Sequence, residues 1–236
     1  MTSIPPTEDL DQRILVALAG RILEREGCAP GVGGQISVRD RRGRGFHVAG
    51  FELLGRIDPA RVALVDGGLR VQEGEIRLAP ALGAHARLYA ERPDVHAVLH
   101  LHSHHVSVLS STGSTVGDYH VSAALFSGEQ VVHADDGTAP HSSVVDTLGD
   151  ARVAIVRNHG AIVASDSLEH AVVEAVTLEC CARIHLECVA AGGAEMHPAE
   201  VEAGRRSFRP HYLEHMWEAL AGRALDGEPE LLHALG

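Results

Sequence analysis

Three histidines in two apolar segments are the residues of this sequence best suited to chemistry. His100 and His102 stand two residues apart in one segment, and His159 follows Asn158, the only asparagine of the chain, in the other. Side chains two residues apart on a strand point to the same face, so the spacing predicts that the first two rings can reach one ion. Catalytic metal sites need a third protein ligand and an open position for substrate. His159 is the candidate for that third ligand.

Histidine is abundant in this chain, which weakens the spacing of His100 and His102 as evidence for a metal site. With seventeen histidines among 236 residues, about one His-x-His is expected by chance. Ordinary structural or surface histidines therefore remain the alternative interpretation. We call the predicted strand that carries His100 and His102 the predicted metal strand. We expect His104 and His105, which follow it, to be structural or supporting groups.

The composition excludes several classes of chemistry and partner. The chain has no lysine, so Schiff-base aldolases, pyridoxal-phosphate enzymes and P-loop phosphate binding are excluded. A formal net charge of −12 without a basic block argues against nucleic acid and against anionic membrane surfaces as partners. We expect a small-molecule substrate instead.

The cellular location is predicted from three features that the sequence lacks. No segment approaches the roughly 20 apolar residues of a membrane span, and the N-terminal residues do not have the pattern of a signal peptide. The four cysteines have no disulfide-framework spacing, and three of them fall in one predicted helix. These features favour a reducing, cytoplasmic location.

Helical and strand patterns predict one α/β domain over 1–236, with a core at about 8–195 and a C-terminal helical segment at about 196–236. Hairpins dominate the first half and strand–helix units the second, which is typical of a mostly antiparallel or mixed sheet. The predicted helices are 8–27, 81–91, 142–148, 167–191 and one within 198–224. The predicted strands are 31–40 (after a glycine-rich turn), 46–49, 62–66, 69–72, 96–102, 131–133, 153–158 and 161–164.

Several motifs in this order resemble the class II aldolase/adducin family. They are Gly34-Gln-Ile-Ser37-Val-Arg39, the run from His85 through Tyr89 to Asp94, His100-Leu-His102, Asn158-His159-Gly160 and Leu178-Glu179. The resemblance covers about residues 10–195. It implies a three-layer α/β/α sandwich around a mostly antiparallel central sheet, in a homotetramer with sites at subunit interfaces.

The resemblance also implies the roles of individual residues. His100, His102 and His159 would bind a divalent ion, zinc first, with manganese or iron as other candidates. The ion would stabilise an enolate, which is how such enzymes manage without lysine. Gly34, Gln35, Ser37, Arg39 and Asn158 would lie around the substrate. Arg39 or Arg209 is the candidate to pair with a substrate carboxylate, with an ordinary solvated arginine as the alternative.

Two departures from the family pattern bear on the reaction. The catalytic glutamate of the family aldolases falls at Ala81, which cannot move a proton. The preceding serines that help to bind phosphate fall at Ala79 and Pro80, and the asparagine of the N-terminal loop is Gln35. An unphosphorylated substrate is therefore predicted.

The leading hypothesis is a metal-dependent carbon–carbon lyase, a decarboxylase or an aldolase-like enzyme, acting on a small carboxylate or carbonyl compound. Decarboxylation suits the lost glutamate best, because it needs no initial proton abstraction from carbon. His85, His120 and Tyr212 are the candidates for proton transfer, each weighed against an ordinary structural role.

Two other functions remain open at this point. Three neutral imidazoles can hold Fe(II) as well as zinc, so a non-haem iron oxygenase on the same scaffold is one alternative. A non-catalytic, adducin-like binding protein is the other. The missing carboxylate at Ala81 favours it, and the three retained histidines argue against it.

Overall fold

The computed structural model describes residues 5–134 and 140–235, except for the side chain of Pro210. Within them, one sheet of eight strands has the order β4-β3-β2-β1-β5-β8-β7-β6. The strands are β1 (Gln35–Arg39), β2 (Phe46–Val48), β3 (Ala63–Val65), β4 (Val71–Glu73), β5 (Ala97–Leu101), β6 (Gln130–His133), β7 (Val153–Val156) and β8 (Gly160–Ser165). The helices are α1 (Gln12–Arg25), α2 (Leu82–Glu91), α3 (His104–Thr112), α4 (Val144–Leu148), α5 (Leu168–Ala191) and α6 (Pro198–Leu225).

The sheet is antiparallel except for one pair. Only β6 and β7 run parallel among the described strands, while β5 lies between β1 and β8 with antiparallel pairing on both sides. The prediction of an α/β sandwich around a mostly antiparallel sheet is therefore confirmed. The predicted metal strand lies at the centre of the sheet, where its backbone is paired on both edges.

Alternation along β5 separates the two faces of the sheet. Leu99 and Leu101 pack in one core cluster with α1, α3, α5 and α6. Val98 packs in a second cluster on the opposite face with α2 and α4. His100 shares the face of Val98, because side chains two residues apart project to the same side.

Helix ends follow local capping chemistry. The first helix was predicted from residue 8, but α1 begins at Gln12 because the Asp11 carboxylate accepts a hydrogen bond from the Arg13 N–H. Ser167 caps α5 as predicted, and Gly192 ends it with a left-handed φ of 74°. None of the described helices is long and apolar enough to cross a membrane. All four cysteines are free thiols.

Candidate metal centre

The side chains of His100, His102 and His159 converge at the end of β5. One ring nitrogen from each lies within 4.8 Å of the others. Ring centroids are 4.8 Å apart for His100 and His102, 5.0 Å for His100 and His159, and 4.8 Å for His102 and His159. His100 is 6% exposed and the other two are half-buried. Folding thus assembles three imidazole donors from segments 57 residues apart in the chain.

Gln35 fixes the orientation of His100. The register of β1 and β5 places the two residues opposite each other, and the Gln35 Oε1 accepts a hydrogen bond from the His100 Nδ1 at 2.9 Å. The other end of the amide donates to the Gly33 carbonyl, which can only accept. The Gln35 oxygen must therefore face the imidazole, so Nδ1 carries the hydrogen and Nε2 keeps its lone pair.

A tight hairpin presents His159. The prediction extended the strand to Asn158, but β7 ends at Val156, which pairs with Gly160 across the loop. Asn158 has a φ of 56°, a left-handed conformation that asparagine adopts more readily than most residues. The His159 N–H donates to the Val156 carbonyl at 3.1 Å. The loop is therefore ordered by its own backbone.

Helix α3 supports this hairpin from the adjacent layer. The Ser110 hydroxyl accepts from the His159 N–H at 3.2 Å, and the Ser107 hydroxyl donates to the His159 carbonyl at 3.3 Å. Glu179 on α5 accepts hydrogen bonds from the backbone N–H groups of His105 and Val106. A carboxylate at a helix N-terminus is stabilised there, so α3 is anchored directly after the metal strand.

Two of the imidazoles, those of His100 and His102, are held in the neutral form that binds a metal. Burial lowers the pKa of His100 well below its usual value, and the nearby His102 and His159 lower it further. Burial, followed by His159, also lowers the pKa of His102. The arrangement fits a divalent ion, because neutral imidazole is a preferred ligand of zinc, iron and similar metals.

A small cavity of about 20 Å³ lies on the His100 side of the three rings. That volume is close to the space for a single water molecule. Two histidines that sequence reasoning did not select, His133 and His141, line it together with Ala81. No spacing motif marks them. The available signal is topological: the β6–β7 register pairs His133 with Val156, at the edge of the sheet where the His159 hairpin turns.

A larger pocket of about 190 Å³ lies on the His102 side, where Gly34 forms part of its wall. The neighbouring Gly33 has a left-handed φ of 112°. A Cβ at Gly33 would lie 3.5 Å from the His102 Cε1. Of the expected substrate-binding residues, Gly34 shares this pocket with His102 and Gln35 contacts His100. The exposed Asn158 directly precedes His159 in the hairpin.

Ser37 and His85 form a buried network behind the centre. The Ser37 hydroxyl lies 2.7 Å from the His85 Nδ1 and 2.8 Å from the Tyr89 hydroxyl. Both Ser37 and His85 are 0% exposed, and burial lowers the pKa of His85 to about 3. Its Nε2 has no hydrogen-bond partner among the described residues. The geometry gives these two residues a supporting position.

Arg39, expected to pair with a substrate carboxylate, is engaged with the backbone. Its guanidinium donates to the carbonyls of Tyr89, Arg92 and Val95, at 2.9 to 3.0 Å. These bonds attach the end of α2 to β1. The structure therefore gives Arg39 a role in holding the fold together.

His120 and Tyr212 lie away from the three rings within this chain. The exposed His120 precedes a 3-10 helix that packs mainly against α6 and α5. Its Nδ1 accepts a hydrogen bond from the Ser122 N–H. Tyr212 packs on Phe208, and its hydroxyl lies 3.4 Å from that of Thr177. A proton-transfer role for either residue stays a prediction.

Comparison with known proteins gives a consistent picture. The class II aldolase and adducin N-terminal domain matches residues 14–186. The chain is 30% identical over 209 residues to the 3,4-dihydroxyphthalate decarboxylase of Arthrobacter keyseri, covering 80% of this chain and 83% of that protein. It is also 30% identical over 156 residues to the 4-hydroxy-3-prenylphenylpyruvate oxygenase/4-hydroxy-3-prenylbenzoate synthase of Streptomyces roseochromogenus subsp. oscitans, covering 61% of this chain but only 55% of that protein.

A solved structure matches nearly the full length of the chain. The L-fuculose 1-phosphate aldolase from Glaciozyma antarctica PI12 superposes with a TM-score of 0.84 at 20% identity, covering 98% of this chain and 96% of that one. At this identity the likeness establishes the fold alone.

Proposed function

Because the chain belongs to the class II aldolase and adducin family, we propose that it is a metal-dependent carbon–carbon lyase. The substrate is a small unphosphorylated molecule with a carboxylate or carbonyl group, and the reaction is decarboxylation. The observation that carries this proposal is Ala81 on the wall of the cavity beside His100 and His159, at the position where the resemblance to the family aldolases implies a glutamate. Loss of CO₂ needs no base at that position, whereas aldol chemistry does.

The substrate class draws on the relatives. A dihydroxyphthalate is an aromatic acid with adjacent hydroxyl groups, and the decarboxylase named for it is 30% identical to this chain. We therefore propose a hydroxy-aromatic acid as substrate, with keto acids as the next class.

The donor set fits one divalent ion, zinc first, with manganese or iron as other candidates. When bound, the ion supplies a Lewis acid that draws electron density from the oxygen atoms of the substrate. The chain's own contribution is to hold three imidazoles close together and to leave the His102 side open to a pocket. Gln35 keeps His100 in the tautomer that this arrangement needs.

We also propose that the whole chain acts as one domain in a homotetramer with sites at subunit interfaces. His120 and Tyr212 would contribute to a site only in such an assembly, since they lie away from the three imidazoles of their own chain. Exposed apolar side chains at Val32, Phe51 and Leu53 are compatible with burial between copies.

The test is CO₂ release by metal-loaded protein from a panel of hydroxy-aromatic and keto acids. We expect wild type to release CO₂ from at least one hydroxy-aromatic acid. His102→Ala should lose both bound metal and activity while keeping its circular dichroism spectrum. His96→Gln, an exposed histidine beside β5, is the matched control. A His102→Ala protein with full metal content and full activity would contradict the proposal.

One observation favours a second candidate, a non-haem iron oxygenase. The relative named as an oxygenase/synthase is 30% identical over its matched part, and three neutral imidazoles bind Fe(II) as well as zinc. Oxygen consumption that requires iron and accompanies substrate loss would establish this function in place of the lyase.

A further inference from the structure

The small cavity beside His100 and His159 has a further exposed histidine, His141, on its wall. Ala81 at the start of α2 and His141 in a 3-10 turn line the same cavity as His100 and His159. Alanine has no proton to transfer and a small side chain. Any proton transfer in this cavity therefore has to come from another residue on its wall. An imidazole is the commonest side chain for proton transfer at neutral pH.

The turn that carries His141 is fastened to the helix that begins next to Ala81. Arg87 on α2 donates to the Ser142 carbonyl at 3.1 Å and to the Asp146 carboxylate at 2.8 Å. These charge-assisted bonds hold the turn against α2. The position of His141 relative to the wall at Ala81 is therefore set by direct contacts.

The second histidine of this cavity is committed to structural bonds. The His133 Nδ1 lies 2.8 Å from the Thr147 hydroxyl, and its Nε2 lies 3.4 Å from the Ser143 hydroxyl. Both contacts attach β6 to the 3-10 turn and to α4. Within the described ranges, no hydrogen bond joins the His141 ring to another residue.

One of the two histidines predicted for proton transfer, His85, is too enclosed for this task. His85 is 0% exposed and bonded to Ser37, and a proton donor must exchange with solvent after each turnover. His141 is exposed and meets this requirement. Exposure and a place on the cavity wall therefore distinguish it from His85.

We propose, resting on the decarboxylase function above, that His141 is the catalytic residue that protonates carbon after CO₂ has left. The bond between the carboxylate and its carbon breaks, and the electron pair stays on carbon, delocalised towards the substrate oxygen. The imidazolium N–H of His141 gives its proton to that carbon, completing the new C–H bond. The neutral imidazole then takes a proton from water.

The experiment compares His141→Gln with wild type on a hydroxy-aromatic acid from which wild type releases CO₂. We expect kcat to fall at least about 100-fold, the lower range for loss of an acid–base catalyst, with KM and bound metal unchanged. In a second variant, His141→Ala, added imidazole should restore part of the lost rate, because it fits the space left by the ring. His96→Gln, exposed and outside the cavity, should keep the wild-type rate.

Each failure has its own signature. A His141→Gln enzyme within twofold of the wild-type kcat overturns the role of His141 and leaves the decarboxylase function intact. A loss of rate accompanied by loss of metal, or one that imidazole does not restore, assigns His141 a structural role and also overturns the proposal. Metal-loaded wild type that releases no CO₂ from any acid tested overturns both proposals.

Discussion

The tautomer of His100 depends on one buried amide. Gln35 is 5% exposed and directs its oxygen to the His100 Nδ1, so the hydrogen stays on that nitrogen and the lone pair stays on Nε2. Partners of this kind orient metal-ligating histidines and raise their basicity. The affinity for metal should therefore respond to Gln35 although it is not itself a ligand.

Gln35→Leu is expected to weaken metal binding by about 10- to 100-fold. Gln35→Glu keeps an oxygen acceptor for the same N–H and should bind the metal more tightly than the leucine variant. Competition with a chromophoric chelator measures both affinities. Gln72→Leu, an exposed glutamine on β4, is the control. Equal affinities for the leucine variant and wild type would contradict the role given to Gln35.

Sequence alone could predict the residues of the candidate centre but not all of the contacts that these residues make in the fold. Strand alternation predicted that His100 and His102 share a face, and the need for a third ligand pointed to His159, a role that the resemblance also implied. Gln35 was expected to contact substrate, because spacing cannot tell which way an amide faces. Its pairing with His100 follows from the β1–β5 register, which is a property of the folded sheet.

Strand β8 can approach β5 closely only because residue 160 is glycine. A Cβ built there would lie 2.2 Å from the Leu101 carbonyl oxygen and 3.2 Å from the His102 Cδ2. Both neighbours belong to the segment that carries two of the imidazoles. Any side chain at this position must push β8 and the His159 hairpin away from β5.

Gly160→Ala is therefore expected to lower the free energy of unfolding by about 1–3 kcal/mol, the usual range for overpacking a core, and to weaken metal binding. Urea denaturation and chelator competition measure the two effects. Gly83→Ala on α2, where a Cβ meets nothing within 4 Å, is the matched control and should stabilise the helix slightly. A Gly160→Ala protein as stable as wild type would show that the strands can separate without cost.

Periodicity in the sequence predicted where the strands and helices lie more accurately than it predicted the residues at which they end. The prediction carried β7 to Asn158, but the strand stops at Val156, because cross-strand pairing with Gly160 closes the loop earlier. An apolar run does not reveal where its partner strand begins. For the same reason His133 and His141 escaped prediction: they reach the candidate centre through strand register and helix packing, which no local pattern records.

At the scale of the whole molecule, the sandwich encloses an ionisable group that it must keep uncharged. The His85 side chain on α2 contacts Ser37 on β1 of the sheet. It is fully buried, and this burial lowers its pKa to about 3. In the unfolded chain the same imidazole titrates near 6.5. Between these two pH values the unfolded state binds the proton and the folded state does not, so stability rises with pH across this window.

Acidification from about pH 6 to about pH 4 should therefore destabilise the metal-free protein, with His85 contributing about 1.4 kcal/mol per pH unit. The lowered pKa values of His47 and His185 act in the same direction. His85→Gln retains a polar group near Ser37 but cannot titrate, so its free energy of unfolding should fall less steeply with acid, even if it is lower at pH 7. Urea denaturation at pH 6, 5 and 4 measures the slopes, with the exposed His96→Gln as control. Equal slopes for His85→Gln and wild type would mean that the interior opens to protonate His85 without unfolding, and that the sandwich does not exclude water from this position.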